Sequence, residues 1–366
     1  MMRIANIAAR PVTLDVNPDI FIQSSLGKHR KSPYVLVTVE TNTGVRGYGE
    51  ATVMPRWSGE TQHSAIAAIE DLLTTPLLGL DLCDINEALA IMDRELHANE
   101  FTKAAIEMAL WDAWGKSLGV PVWKLLGGQR RDLSIPLKIS IGAFSPAEAA
   151  RRVTLAKQRG FKACKVKVGI DVKTDLERVA AVREAVGADF PVGVDANGGW
   201  SESQAVQALP GLERLRVNMI EQPLARWDFR GSARLRRLTP LPVMIDEGIF
   251  TAAHAMEAIR QDACDIISIY PGKNGGIRRS MQIAEMAHAA GMECVIGSNL
   301  ELDLATSAML QVAVAIPNLS MRVNHDIIGP FYYLDHVTQP VIRIEDGLAW
   351  APEGPGLGLE LSAVGT

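Results

Sequence analysis

ACKVKVG (163–169), FPVGVDANG (190–198), VNMIEQP (217–223), LPVMIDEG (241–248) and DIISIYPGKNGG (265–276) follow one another along the chain, each built on an apolar run with polar residues at or near its end. Three of these runs lead into a carboxylate, Asp195, Glu221 and Asp246, at intervals of 26 and 25 residues. One strand, one helix and two short loops take roughly 25 residues, so this spacing predicts equivalent ends of three successive parallel strands in a (β/α) barrel, where barrel active sites are built. A lone Asp at a strand end often caps the next helix. Three buried carboxylates in phase instead require a cationic partner that offsets their desolvation. An all-oxygen donor set without a His or Cys cluster suits Mg²⁺ or Mn²⁺ rather than Zn²⁺.

In KVKVG, one residue separates Lys165 from Lys167, so both project from the same side of a strand. Like charge and burial each lower a lysine pKa, and the pair therefore favours the neutral form of one member. Lys167, nearer the strand end, is the candidate general base, with Lys165 as its electrostatic tuner and a contact for a substrate carboxylate. A lysine facing a divalent cation points to carbon-acid chemistry, because a proton alpha to a carboxylate yields to an amine only where the ene-diolate is stabilised. Asn197 and Gln222, next to the first two acids, are candidate supporting donors. Glu247 faces away from Asp246 in an ideal strand and reads as an orienting group.

At 366 residues the chain exceeds a plain barrel by roughly 100 residues. A second domain is therefore expected. The net charge of −5 and pI near 5.9 give no basic surface for nucleic acid. Cys83, Cys164, Cys264 and Cys294 are scattered without metal or redox spacing, and the opening MMRIANIAARPVTL has no long apolar segment after its charge. These features predict a reduced, cytoplasmic protein with no membrane span.

Residues 1–125 read as an α+β domain. Strands at 2–14, 34–40 and 45–51 are followed by helices at 61–79, 85–98 and 101–119, the last read as strongly amphipathic. Two loops, 16–33 and 52–61, carry Phe21, Arg56 and Trp57 as candidate ligand contacts. Residues 126–323 read as the barrel, opening with LSIPLKISIGA (133–143), which holds Lys138 and Ser140, and closing near 318–323. Residues 324–366 form a tail that suits a return to the first domain. Its GPGLG (354–358) lacks the strand-to-helix context of a phosphate loop.

Taken together, Lys165-Val-Lys167, Asp195-Ala-Asn197, Glu221-Gln-Pro223, Asp246-Glu247 and Lys273-Asn-Gly-Gly276 resemble the successive strand-end motifs of the enolase superfamily. The resemblance is to the mandelate racemase/muconate lactonizing enzyme family, closest to its muconate lactonizing group, and covers essentially the whole chain. It implies a (β/α)7β TIM-like barrel under an α+β capping domain formed by the N-terminal region and the C-terminal tail. It also implies Mg²⁺ held by Asp195, Glu221 and Asp246, a small carboxylate substrate, and a homo-oligomer, either dimer or octamer. Ser298, Asn299 and Glu301 end the seventh strand at the same mouth, and Glu301 resembles an acid that relatives keep there. His325, after the last strand, is a candidate acid/base or a tie between tail and rim.

One departure bears on the reaction. Where the family pattern ends the sixth strand with a second lysine, 24 residues after Asp246, this chain has Tyr270, and Lys273 follows three residues later. A tyrosine with its ordinary pKa near 10 is a poor base but a serviceable acid or donor. The expected reaction is therefore one-base β-elimination or cycloisomerisation of a small organic acid or amino-acid derivative. The alternatives are racemisation or epimerisation with Tyr270 or Lys273 as second acid/base, and a non-catalytic metal-binding relative.

Overall fold

A computed structural model describes residues 2–18, 20–24, 27–29 and 31–365, with backbone alone over 22–24 and 27–29. Most side chains of the 16–33 loop thus lie outside the described residues. Strands Ile4–Asp15, Lys31–Thr41 and Arg46–Ala51 form an antiparallel sheet with Lys31–Thr41 in the middle. A helical run over 62–77, containing a π-helical turn, and helices Ile85–Glu95 and Glu100–Leu118 complete the cap.

Glu100–Leu118 corrects the amphipathic expectation, because it is buried on nearly every side. The charges that suggested a wet face are each matched in the interior. Lys103 meets Asp93 at 2.8 Å, and Glu107 accepts the Ile277 and Arg278 amides at 2.8 Å each. Asp112 accepts the Tyr48 and Leu357 amides at 2.9 and 2.7 Å. A polar face in sequence predicts solvent only when no second layer covers it, and here the barrel and tail do so.

The barrel follows the predicted alternation of strands and helices. Its seven parallel strands, Ile139–Ile141, Cys164–Lys167, Val192–Asp195, Ile220–Glu221, Val243–Ile245, Ile266–Ile269 and Glu293–Ile296, pair in sequence order. Residues 318–326 close the ring, through parallel bridges Cys294↔Leu319 and Leu137↔His325. The expected first strand is divided: Ser134–Pro136 pairs antiparallel with Leu348–Trp350 from the tail, while Ile139–Ile141 pairs with the second barrel strand. The tail therefore touches the barrel floor as well as the cap, where Gly356 accepts the Val122 amide at 2.9 Å.

Inside the barrel, Met219, Met244, Ile266, Val295 and Val323 form a small apolar cluster of their own. Met219 and Met244 precede Glu221 and Asp246 by two residues, so they point to the same side one layer lower. Gly193 makes room for this plug, since a Cβ there would lie 2.7 Å from Met219 Cε. The polar mouth thus rests on a packed apolar floor.

The cap is fixed to the barrel by buried polar groups. Glu50, fully buried, accepts the Leu302 and Ala305 amides at 2.7 and 3.1 Å, satisfying the start of helix Asp303–Ala315. Tyr34 from the cap and Tyr333 from the tail both donate to the Leu300 carbonyl, the latter at 2.8 Å. Close approach of the cap sheet to Glu100–Leu118 depends on glycine. A Cβ at Gly49 would stand 1.9 Å from the Ala105 carbonyl oxygen. Gly49→Ala is expected to destabilise the protein by about 3 kcal/mol through forced separation of strand and helix. Calorimetric unfolding checks this, and an unchanged melting temperature would contradict the packing.

Candidate active site

Parallel pairing sets the site because partnered residues point to the same face. Lys167 is in register with Asp195, Asp195 with Glu221, and Ser140 with Lys165. Asp246 follows the fifth strand directly. These side chains meet in a cavity of about 470 Å³ whose far wall comes from the cap, through Met54, Arg56 and Trp57, and from Asn299 and Leu300.

Four lysines face the four acids of this mouth. Lys165 Nζ lies 2.8 Å from Glu221, 3.0 Å from Asp326 and 3.5 Å from Asp195. Lys167 Nζ is 2.6 Å from Asp195. Lys273 donates to the Asp246 carboxylate at 2.6 Å, to the Asp246 carbonyl at 2.8 Å and to the Ser268 carbonyl at 2.7 Å. Lys138 lies beneath, 2.8 Å from Asp326 and 2.6 Å from the Asn324 carbonyl. Burial favours the neutral amine at Lys165, but Asp326, Glu221 and Asp195 outweigh it and hold this group well above the ordinary lysine range. Lys165 is therefore charged, and crowding with Lys167 does not neutralise it. At Lys138 burial dominates and lowers the pKa.

The acids respond to the same crowding. Burial and the Asp195 charge push Glu221 up to about 8. Burial and Asp246 do the same for Glu247, also to about 8, while Asn197 donates to it at 2.8 Å. Asp326 is desolvated too, yet Lys138 and Lys165 bring it down to about 2. Among the described residues, no three His, Cys, Asp or Glu side chains are gathered as a ready metal cage. Asp195, Glu221 and Asp246 nevertheless face one cavity with oxygen donors, and the Glu247 Oε2 and Asn197 Oδ1 atoms are buried without a partner among the described residues. An oxygen-rich group that includes the raised Glu221 and Glu247 fits a hard divalent cation.

The sequence candidates separate into two groups. Lys165, Lys167, Asp195, Asn197, Glu221, Asp246, Ser298, Asn299, Arg56, Trp57 and Ser140 line the cavity. Gln222 sits behind it and accepts the Asp246 and Gly248 amides at 3.0 and 3.1 Å, which ties the fourth strand end to the fifth. Glu301 is buried and receives Ser298 Oγ at 2.5 Å and the Asn299 amide at 2.8 Å. Phe21 packs against Phe144 and the Arg152 guanidinium, beside the first barrel strand and helix Pro146–Gln158. His325 points into the barrel wall: Nδ1 accepts the Ile296 amide at 3.1 Å, Nε2 lies 3.1 Å from the Ser320 carbonyl, and burial lowers its pKa to about 3.

Asp326 and Tyr332, which line the cavity, were not singled out by the sequence reading. In Asn324-His325-Asp326 three polar residues alternate faces, and only the closing register decides which one enters the mouth. Tyr332 arrives on a short 3-10 turn, Gly329–Tyr332, that has no periodic signal.

Tyr270 is fully buried beneath the cap, with its ring 5.9 Å from Trp57 and 6.5 Å from Phe101. Its hydroxyl has no hydrogen-bond partner among the described residues. Burial, then the charges of Asp246, Glu301 and Glu247, hold it well above the ordinary tyrosine range. The proton stays on.

A barrel mouth with charged lysines and carboxylates facing a covered cavity defines a barrel enzyme of general acid–base type. Residues 8–127 match the family described as mandelate racemase / muconate lactonizing enzyme, N-terminal domain, and residues 146–364 match enolase C-terminal domain-like. The chain is 35% identical over 352 residues to muconate cycloisomerase 1 of Rhodococcus opacus, covering 95% of this chain and 92% of that one. The substrate-liganded L-Ala-D/L-Glu epimerase from Bacillus subtilis superposes with a TM-score of 0.94 at 30% identity over 99% of both chains. A dipeptide epimerase from Enterococcus faecalis V583, solved with Mg and L-Leu-L-Tyr, gives 0.93 at 28% identity, covering 98% of this chain and 99% of that one. The chain belongs to the mandelate racemase/muconate lactonizing enzyme family of the enolase superfamily, and it is an enzyme of that lyase and isomerase type. No helix among the described residues is long and apolar enough to cross a membrane.

Removing the unpartnered hydroxyl in Tyr270→Phe is expected to stabilise the fold by about 1 kcal/mol. Calorimetry reads this as a slightly higher melting temperature. A drop of that size would instead reveal a stabilising partner for the hydroxyl.

Proposed function

We propose that this enzyme removes the proton alpha to a carboxylate of a small organic acid or amino-acid derivative, with Lys167 as the single base. The reaction class is β-elimination or cycloisomerisation. The carrying observation is asymmetry: Lys167 enters the cavity on one wall, while the position that would supply a second lysine holds a protonated Tyr270 that does not line it. Lys273 does not restore symmetry, since it is fully buried and held by three oxygens.

Asp195, Glu221 and Asp246 would hold Mg²⁺, or Mn²⁺. Such an ion supplies, when bound, positive charge toward an ene-diolate. The protein's own groups do the remaining work. Lys165, charged between carboxylates, adds positive potential beside the substrate carboxylate. Lys167 takes the alpha proton on its nitrogen, and Trp57 and Arg56 cover the cavity and exclude water. Tyr270 keeps its proton and is not a second base. A homo-oligomer, either dimer or octamer, and a cytoplasmic setting belong to the same reading.

Incubation with hydroxyprolines, N-acyl amino acids, dipeptides, sugar acids and muconates in deuterated water with Mg²⁺ tests this by NMR. Alpha-proton exchange with retained configuration in at least one acid is expected, and Lys167→Ala should lower its rate by about 10³-fold or more. Equal exchange from both enantiomers would sink the one-base reading. A Lys167→Ala variant that exchanges normally would remove Lys167 as the base.

A further inference from the structure

Two buried polar groups bordering the cavity are incomplete among the described residues: Asp326 Oδ1 has no hydrogen-bond partner, and the Tyr332 hydroxyl, whose oxygen accepts from the Ser140 amide, has no acceptor for its proton. Asp326 uses its other oxygen for Lys138 at 2.8 Å and Lys165 at 3.0 Å, so the free oxygen belongs to a carboxylate fixed in place from behind. Tyr332 is fully buried, and it borders the same cavity as Asp326 and Lys165. Leaving a buried polar atom unsatisfied is costly, so a wall with a free acceptor beside a free donor is built for something that completes both.

The chemistry of the pair narrows what that is. An ionised carboxylate only accepts, and the phenol O–H of Tyr332 donates. An ammonium group satisfies Asp326 but has no lone pair for Tyr332. A second carboxylate accepts from Tyr332 but sets its charge against Asp326. A hydroxyl group does both at one oxygen, giving its proton to Asp326 and accepting from Tyr332. The remaining unpartnered cavity atoms, Asn197 Oδ1 and Asn299 Nδ2, are amides on loops after the third and seventh strands and make no such pair.

We propose that Asp326 and Tyr332 form a subsite for a hydroxyl group, and that the substrate is a hydroxy-carboxylate. The inference rests on the carbon-acid reading of the site and adds to it the identity of the group recognised beside the reacting carbon. Among the two reaction classes it favours β-elimination of water, in which Lys167 takes the alpha proton, the Cα–Cβ double bond forms as the Cβ–O bond breaks, and the same proton returns from Lys167 to the departing oxygen, which leaves as water; cycloisomerisation requires no such leaving group.

The test uses matched acids with and without the hydroxyl: 3-hydroxyproline against proline, threonine against 2-aminobutyrate, and malate against succinate, with muconate as a dianion lacking a hydroxyl. Turnover and alpha-proton exchange are followed by NMR in deuterated water with the full-length protein and Mg²⁺. The wild type is expected to prefer the hydroxylated member of at least one pair by about 10²-fold or more in kcat/KM, since a site that hydrogen-bonds a hydroxyl rejects the analogue lacking it. Tyr332→Phe and Asp326→Asn should each reduce that preference by about tenfold or more. Because Asp326 also holds Lys138 and Lys165, Tyr332→Phe, which deletes a single oxygen, keeps the test decisive if the Asn variant fails to fold. A hydroxyl preference that Tyr332→Phe leaves intact overturns the subsite, as does a preference for muconate or for the deoxy acids. Exchange from none of these acids overturns the carbon-acid reading and the subsite with it.

Discussion

The Lys165 ammonium touches carboxylates from three separate places in the barrel: Glu221 at 2.8 Å, Asp326 at 3.0 Å and Asp195 at 3.5 Å. Two like charges about 4 Å apart repel by about 4 kcal/mol at an effective dielectric of 20, so a group of buried acids is tolerable only with cations between them. Lys165 supplies the central one, with the amines of Lys167, Lys273 and Lys138 donating to the acids around it. The arrangement follows from the parallel register, which puts Lys167, Asp195 and Glu221 at one level, and from the apolar plug of Met219 and Met244 beneath. The same crowding makes the mouth reactive: burial and then neighbouring negative charge push Glu221 and Glu247 upward, and added positive charge relieves the second of these.

A charged mouth functions only if it is covered, and the cap is attached by the same device used in the core, a buried carboxylate on free backbone amides. Glu50 caps the helix that starts at Asp303, and Glu107 accepts the first amides of helix Ile277–Ala289. Between these anchors Tyr34 and Tyr333 hold the carbonyl of Leu300, a residue with φ of 61° whose side chain borders the cavity. Cap, tail and the loop after the seventh strand are therefore one hydrogen-bonded unit, and Trp57 is carried over the mouth and over Tyr270 by that unit.

Much of this was legible in the sequence because it is periodic. Repeats of apolar run, acid and amphipathic helix translate directly into barrel units, and a two-residue spacing places Lys165 and Lys167 on one face. What escaped was set by register or by layering. The helix Glu100–Leu118 read as amphipathic, but Lys103 is met by Asp93 within the cap, and the barrel and tail supply Glu107 and Asp112 with partners that no local pattern announces. The choice between His325 and Asp326 is a matter of one residue in a segment joined to the barrel by isolated bridges rather than a long ladder. The Tyr332 turn has no period to read. Asp326, distant in sequence, joins Glu221 and Asp195 around Lys165, a gathering that composition cannot foresee.

The proposal that these carboxylates serve a divalent cation, leaving Lys167 as the base, is tested most directly by diffraction at the manganese absorption edge from crystals of the intact chain grown with Mn²⁺. The account predicts one anomalous peak in contact with Asp195, Glu221 and Asp246, with Lys167 Nζ facing the cavity and outside the coordination shell. A mouth without a peak, its lysine–carboxylate pairs unchanged, would contradict it.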